Sequence, residues 1–317
     1  IFPMAKSFLD KVDTFKGFLL DTTFKVLPYF KTAILMASSL NTGFALAFIF
    51  SRHEDVDSYS KLLKTFQDQT EYRFYGDTIE TDQDRALSTT AEKYNMTQLL
   101  CLRHLLHSLQ TNPYSYHAKL LIKCATQFEF NNACEFLSNI FHADIEQEKK
   151  IDDTKKHSKE LMIEQILEKI GLGYDYLNNI IEIQDMKKWE KRSMMFRIKY
   201  SMPSTTNSLE SAHGHLNKKT PRRNNFWSSL YRVISNLTKQ NHLYKEKVMH
   251  NYNHVIRKTK NRAKNIPKER MKNEMLFYRT TLNNCNCSEN KVVSSQLGFQ
   301  VPCSHQLQLK TFNGFPI

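Results

Sequence analysis

Between Lys31 and Arg52 the stretch Thr32–Phe50 carries no charged residue. A chain must either thread such a stretch through a membrane or bury it in a core. A spanning helix needs about 20 mostly apolar residues in a row. Here the centre reads Ser38-Ser39-Leu40-Asn41-Thr42-Gly43, which splits the stretch into two apolar runs of strand length. Ala33–Ala37 and Phe44–Phe50 therefore read as the strands of a buried hairpin, with Gly43 taking positive φ in the Asn-Thr-Gly loop. No membrane is expected as a partner.

The neighbouring segments extend this hairpin into a mixed α/β core. Gly17-Phe18-Leu19-Leu20 runs into Asp21-Thr22-Thr23-Phe24-Lys25-Val26, a strand with an acid embedded in it. Val56, Tyr59, Leu62, Leu63 and Phe66 recur at three- and four-residue spacing, so 54–66 is read as a helix. Thr78-Ile79-Glu80-Thr81-Asp82 is a short strand ending in acid. A helix from about Asp84 to Tyr94 and a buried strand Gln98-Leu99-Leu100-Cys101 follow. The order is three strands, helix, strand, helix, strand. From about 110 to 200 the pattern is helical and charged. Pro203-Ser204-Thr205-Thr206-Asn207 interrupts it, and Thr206 or Asn207 suits an N-cap for a helix containing Glu210. Basic helices continue over about 215–275.

At 317 residues, of which 40% are hydrophobic with 21 Phe and 14 Tyr, the chain has ample material for a core. A wholly disordered chain is excluded. Charge is segregated: Lys187–Arg279 holds 23 Lys+Arg against 5 Asp+Glu, whereas the remainder holds 22 against 27. A basic segment beside a mildly acidic body points to a polyanion partner, most commonly nucleic acid. Arg222, Arg223, Arg257, Lys258, Lys260, Arg262 and Lys264 are the candidate phosphate contacts, which give affinity and salt dependence but little sequence reading. Phe226, Trp227, Leu230 and Val233 fall at helical spacing and are read as core.

Asp21 and Asp82 stand where charge is expensive unless it is paired or binds a cation. Asp10, Asp13, Asp77 and Asp84 sit in more polar or helical contexts. Cys101 and His104 stand together as Cys-x-x-His; Cys124 and Cys134 are the further soft ligands in reach of composition, at no standard zinc spacing. At the C-terminal end Cys285-Asn286-Cys287 is followed, after 15 intervening residues, by Cys303-Ser304-His305. Three thiolates and one imidazole suit tetrahedral Zn²⁺ in a closed, structural site. So small a module would draw much of its stability from the metal.

Four segments carry a family resemblance. Leu19-Leu20-Asp21-Thr22-Thr23-Phe24-Lys25 resembles the first-acid strand of Mutator-like transposases, and Thr81-Asp82-Gln83-Asp84-Arg85-Ala86-Leu87 resembles their second-acid motif, favouring Asp82 over Asp84. Cys101-Leu102-Arg103-His104 is similar to the Cys-x-x-His that follows. Thr205-Thr206-Asn207-Ser208-Leu209-Glu210-Ser211-Ala212-His213 resembles the segment bearing the third acid. The Cys-x-Cys…Cys-x-His set, with Gly298-Phe299-Gln300-Val301-Pro302 leading into its second half, resembles a SWIM-type zinc finger, a common companion of this family.

The resemblance implies an RNase H-like mixed-sheet catalytic domain over 1–275 with an all-helical insertion at about 110–200, then a zinc-stabilised SWIM module over 276–317. It implies a DDE-type DNA transposase of the nucleus that cuts and joins strands. Asp21, Asp82 and Glu210 would hold two Mg²⁺ or Mn²⁺ ions. Cys101, His104 and His213 would stand behind them, and Cys285, Cys287, Cys303 and His305 would hold structural Zn²⁺. Glu190 and Glu135 are the alternatives to Glu210. The implied partners are transposon-end and target DNA and a second copy of the chain. The start Ile1-Phe2-Pro3-Met4 reads as a truncation, with no signal peptide. The rival reading is a catalytically inactive, transposase-derived DNA-binding transcriptional regulator, in which the acids persist without activity.

Overall fold

The computed structural model describes residues 1–10, 17–27, 29–40, 42–109, 115–124, 126–148, 160–165, 167–168, 189–202, 207–219, 225–287, 289–297 and 299–313. It is a mixed α/β protein that divides into two compact units. Residues 1–101, 200–254 and 296–298 form the first, and 102–199, 255–295 and 299–317 the second. The expected boundary between 275 and 276 falls inside the second unit.

The first unit is built on a five-stranded sheet in the order β3-β2-β1-β4-β5. Strands β1 (Phe18–Leu27), β2 (Phe30–Ser39) and β3 (Thr42–Ser51) form an antiparallel meander. Strands β4 (Thr78–Thr81) and β5 (Thr97–Leu100) add in parallel on the other side of β1. Parallel neighbours need a crossover: α2 (Val56–Thr70) carries the chain from β3 to β4, and α3 (Arg85–Lys93) from β4 to β5. A short helix α1 (Ala5–Leu9) precedes the sheet.

The hairpin forms as read, but its turn does not. Ser39 pairs with Thr42 and Ser38 with Gly43, so Gly43 lies in the ladder. The positive φ falls instead on Leu40, at 46°. Register decides this: the apolar alternation places Gly43 opposite Ser38 and leaves only two residues for the loop. Leu40 is held there by its backbone. Its N–H donates to the Gln296 side chain (3.1 Å), and its carbonyl accepts from Asn251 Nδ2 (2.9 Å).

Alternation along the strands builds two cores. Phe18, Leu20, Leu35, Phe44, Leu46 and Ile79 face Tyr59, Leu62, Leu63 and Phe66 of α2 and Leu87 and Ala91 of α3. Leu19, Ile34, Met36, Ala45 and Leu99 face the opposite way. Leu209, Ala212 and Leu216 of α8 (Asn207–Lys219) cover them, with Val233 and Leu237 of α9 (Phe226–His242). β3 is an edge strand, and a free edge is a liability. Asn241 of α9 closes part of it: its Oδ1 accepts from Ala45 N–H (2.7 Å) and its Nδ2 donates to Ala45 carbonyl (2.8 Å). This contact sits where β2 and β3 slip register, beside Leu35 and Met36.

The second unit is helical among its described residues: α4 (Leu102–Ser108), α5 (Ser115–Lys123), α6 (Gln127–Glu148), α7 (Met194–Lys199), α11 (Lys268–Phe277), α12 (Lys291–Leu297, whose last two residues belong to the first unit) and α13 (Ser304–Phe312). Its core gathers Leu102, Leu105, Leu121, Ile122, Phe130, Cys134, Leu137 and Trp189. Between α9 and α11, α10 (Tyr244–Asn265) crosses the division between His254 and Val255. No described helix is long and apolar enough to cross a membrane.

Candidate functional site

The C-terminal cysteines and histidine come together as the sequence led us to expect. Cys285, Cys287, Cys303 and His305 are all buried, and one ligand atom from each lies within 4.8 Å of the others. His305 turns Nδ1 inward, 3.7 Å from Cys285 Sγ and 3.8 Å from Cys303 Sγ. A tetrahedral ion about 2.3 Å from sulfur and about 2.0 Å from nitrogen sets those atoms roughly 3.5 Å apart. The spacing fits Zn²⁺, and the donor set is closed, as in a structural site.

The electrostatics fit a dication as well. Hydrogen bonds with Cys287 and Cys303 pull the Cys285 thiol far below its ordinary value, and the Cys287 thiol is pushed far up by Cys285 and Cys303. Thiols packed this closely accumulate negative charge as they ionise, and a divalent ion offsets it. Burial opposes a charge on His305, but hydrogen bonds with Cys285, Cys303 and Glu274 raise it to about 10. With a metal on Nδ1 the imidazole is neutral, and Nε2–H is free to donate to Glu274 Oε2, 2.9 Å away. Carboxylates in this position fix the ring and its tautomer.

Glu274, on α11, is a residue the sequence reading missed, since nothing local marks it. Arg270 Nε reaches its Oε1 at 3.0 Å and Arg262 its Oε2 at 3.3 Å. Glu289 plays a similar part: its Oε2 accepts from Ser304 N–H (2.8 Å) and from the Ser304 hydroxyl, and lies 3.7 Å from Arg262. Arg262, read from sequence as a phosphate contact, is thus engaged with two carboxylates beside the metal ligands. Arg257, Lys258 and Lys264 are exposed and Lys260 half-buried on α10. Arg222 and Arg223 lie outside the described residues.

In the first unit, Asp21 sits in β1 opposite Ile34, on the face that α8 covers. β1 and β4 pair Phe18 with Ile79 and Leu19 with Glu80; Asp82 directly follows β4, and its charge reaches His213, which also lies against Asp21. Glu210 lies in the first turn of α8 and His213 three residues on, along the same side of the helix. His213 is buried, with Nδ1 3.5 Å from Asp21 Oδ2. Burial lowers its pKa to about 4 against the opposing charge of Asp82, so the ring is neutral at pH 7. Its Nε2 is buried without a hydrogen-bond partner among the described residues. Asp21 accepts from the Thr22 N–H at 2.7 Å.

The arrangement is looser than a formed metal site. Ligand atoms of Asp21, Asp82 and Glu210 do not all lie within 4.8 Å of one another. Glu80, which the sequence reading passed over, is a further fully buried acid; the register puts it on the same face as Leu19 and Asp21. Only burial in the sheet marks it, since β4 reads Thr-Ile-Glu-Thr with a single apolar residue.

The competing acids have structural work. Asp84 caps α3, accepting from Ala86 and Leu87 N–H at 2.8 and 3.1 Å. Asp77 accepts from Tyr72 Oη at 2.9 Å. Asp10 ends α1, and Asp13 lies outside the described residues. Of the alternatives to Glu210, Glu190 and Glu135 both belong to the second unit.

Cys101 is buried directly after β5, its N–H donating to Thr81 carbonyl at 2.9 Å, and His104 lies in α4 of the second unit. Cys124 and Cys134 are packed in the core of the second unit, where burial pushes their thiols up to about 12 each. On α9, Val233 is core as read and Leu230 is half-buried, but Phe226 is 40% and Trp227 73% exposed. Helical spacing groups residues on one side of α9 without fixing which side the sheet covers. No known protein family matches this chain, and no curated protein matches its sequence.

Proposed function

We propose that this chain is a DNA-processing enzyme of the Mutator-like transposase type, with an RNase H-like catalytic core and a SWIM-type zinc module. The observation that carries the reading is the placing of Asp21 and Asp82. They lie on or just after adjacent parallel strands of a β3-β2-β1-β4-β5 sheet, and α8 lays Glu210 and His213 along the same face. That strand order and direction are those an RNase H-like core requires, and the order of the acids is the order the sequence motifs led us to expect.

Asp21, Asp82 and Glu210 offer hard carboxylate oxygens, the donors that Mg²⁺ and Mn²⁺ prefer. Ions bound there would supply an activated water or 3′-hydroxyl and a stabilised leaving oxygen for in-line phosphodiester attack. The chain's own part is to keep those carboxylates on a rigid sheet, under a lid of α8, with a neutral imidazole against Asp21. Arg257, Lys258, Lys260 and Lys264 would meet the phosphates. Bound as zinc ligands, Cys285, Cys287, Cys303 and His305 would be structural, and the nucleus is the compartment that goes with this activity.

One observation favours the second reading, a transposase-derived DNA-binding regulator without activity: ligand atoms of the three acids are not all gathered within 4.8 Å of one another. Nicking of supercoiled DNA in Mg²⁺ or Mn²⁺ separates the two. Cleavage by the parent that disappears in Asp21→Asn, Asp82→Asn and Glu210→Gln, with folding unchanged, supports the enzyme. Salt-sensitive DNA binding without any cleavage supports the regulator. Cleavage that survives all three substitutions refutes the choice of acids.

A further inference from the structure

The side chains around the Cys/His site connect it to the basic helix by three separate routes, all inside the second unit. Arg262 of α10 holds Glu274, and Glu274 holds the outer nitrogen of His305. Arg262 also meets Glu289, which binds the backbone and hydroxyl of Ser304, between the ligands Cys303 and His305. Asn290 Nδ2 donates to Thr259 Oγ1 of α10 and to Pro302 carbonyl, both at 2.8 Å. Thr259 is buried and Ala263 is 1% exposed, so this side of α10 is packed.

At 100° per residue, Arg257, Lys260 and Lys264 fall on the other side of the same helix. Residues 255–265 include five basic and no acidic side chains. One side of the helix is therefore joined to both ligand segments, 285–290 and 302–305, while the other presents positive charge.

We propose that metal occupancy of the Cys/His site governs polyanion binding by α10, with Arg262 as a positioning residue and not a phosphate contact. The inference rests on the reading of DNA as the partner and deepens it. Without the metal, the two ligand segments lose their common anchor. Glu274, Glu289 and Asn290 then no longer hold Thr259 and Arg262 in place, and the basic side of α10 loses its fixed geometry. With the metal, Arg257, Lys260 and Lys264 are presented on a braced helix, so phosphate binding costs less ordering entropy.

The test uses the full chain, loaded with Zn²⁺ and after chelation, with two readouts. Hydrogen exchange of the 255–265 amides reports the coupling itself, and fluorescence anisotropy with a duplex DNA across a salt series reports the consequence. We expect chelation to speed exchange in α10 as well as in 285–305, by roughly tenfold or more, and to weaken DNA binding by a similar factor, both restored by Zn²⁺. In the loaded protein, Arg257→Gln and Lys264→Gln should each reduce the slope of log K against log salt by about 1. Arg262→Gln should leave that slope unchanged and weaken the metal dependence of α10 exchange. Asn290→Ala, which touches no charge, should weaken that dependence in the same way.

Chelation that opens 285–305 but leaves α10 exchange and DNA affinity unchanged overturns the proposal. So does a slope lowered by about 1 in Arg262→Gln, which would return Arg262 to the phosphate contacts. Metal-dependent exchange in a chain that binds no DNA in any state supports the coupling and overturns DNA as its beneficiary.

Discussion

Gly17 sits at the entrance of β1, and an alanine there tests how closely the first and fourth strands are packed. A Cβ built on Gly17 would lie 2.5 Å from Met202 Sδ and 2.7 Å from the carbonyl oxygen of Thr78. Heavy atoms prefer about 3.5–4.0 Å, so each neighbour must retreat by most of an ångström. Met202 can move its thioether, being unbranched and soft. Thr78 cannot move alone, because it opens β4 and pairs with Thr97.

We expect Gly17→Ala to destabilise by about 1–3 kcal/mol, the usual cost of overpacking. Without the clash the same change would stabilise by about 0.4–1 kcal/mol, because alanine narrows the unfolded ensemble. The sign therefore decides. Urea unfolding of four proteins (parent, Gly17→Ala, Met202→Ala and the double variant) apportions the two contacts. Met202→Ala alone should cost about 2–5 kcal/mol. In that background Gly17→Ala should still cost about 1 kcal/mol or more, because the Thr78 carbonyl stays. A double variant no less stable than Met202→Ala would refute the argument that the backbone of β4 is the obstacle.

Two further outcomes follow from buried polar groups. Asn241→Leu leaves the N–H and carbonyl of Ala45 buried and unpaired, and should lower stability by about 2–4 kcal/mol; an unchanged urea midpoint would show that Asn241 does not close the β3 edge. His213 has a pKa lowered to about 4 by burial, against about 6.5 unfolded. Between those values the unfolded chain binds the proton and the folded chain does not, so stability rises with pH across that window and is complete above about 6.5. At 1.36 kcal/mol per pKa unit the contribution is at most about 3 kcal/mol. His213→Gln should flatten the pH dependence of unfolding between pH 4 and 6.5, and an unaltered profile would place the titrating group elsewhere.

Much of the first unit was legible because its signals are local. The uncharged hairpin, the helix at Val56–Thr70, the short strands at 78–81 and 97–100 and the helix between them rest on periodicity within a few residues. The Cys/His site was legible for a different reason: three thiols and an imidazole at that spacing are a donor set that suits a metal ion. The turn was misread because residue preference at Gly43 lost to the register of nine paired residues on each strand, which put the strain on Leu40. Trp227 was misread because helical spacing shows that residues share a face, without showing which face the sheet will cover.

By itself, then, the sequence determined the mixed α/β class, the order of elements around the sheet and the identity of the four soft ligands, since these depend on patterns and chemistry carried within short segments. Tertiary structure alone decided which acids share a face, that Glu80 is buried among them, and that His213 lies against Asp21 with its ring neutral. It also set Arg262 against Glu274 and Glu289. Such assignments depend on pairing between residues far apart in the chain. Burial strengthens a charge interaction or forbids it according to what packs above it, and no local pattern carries that information.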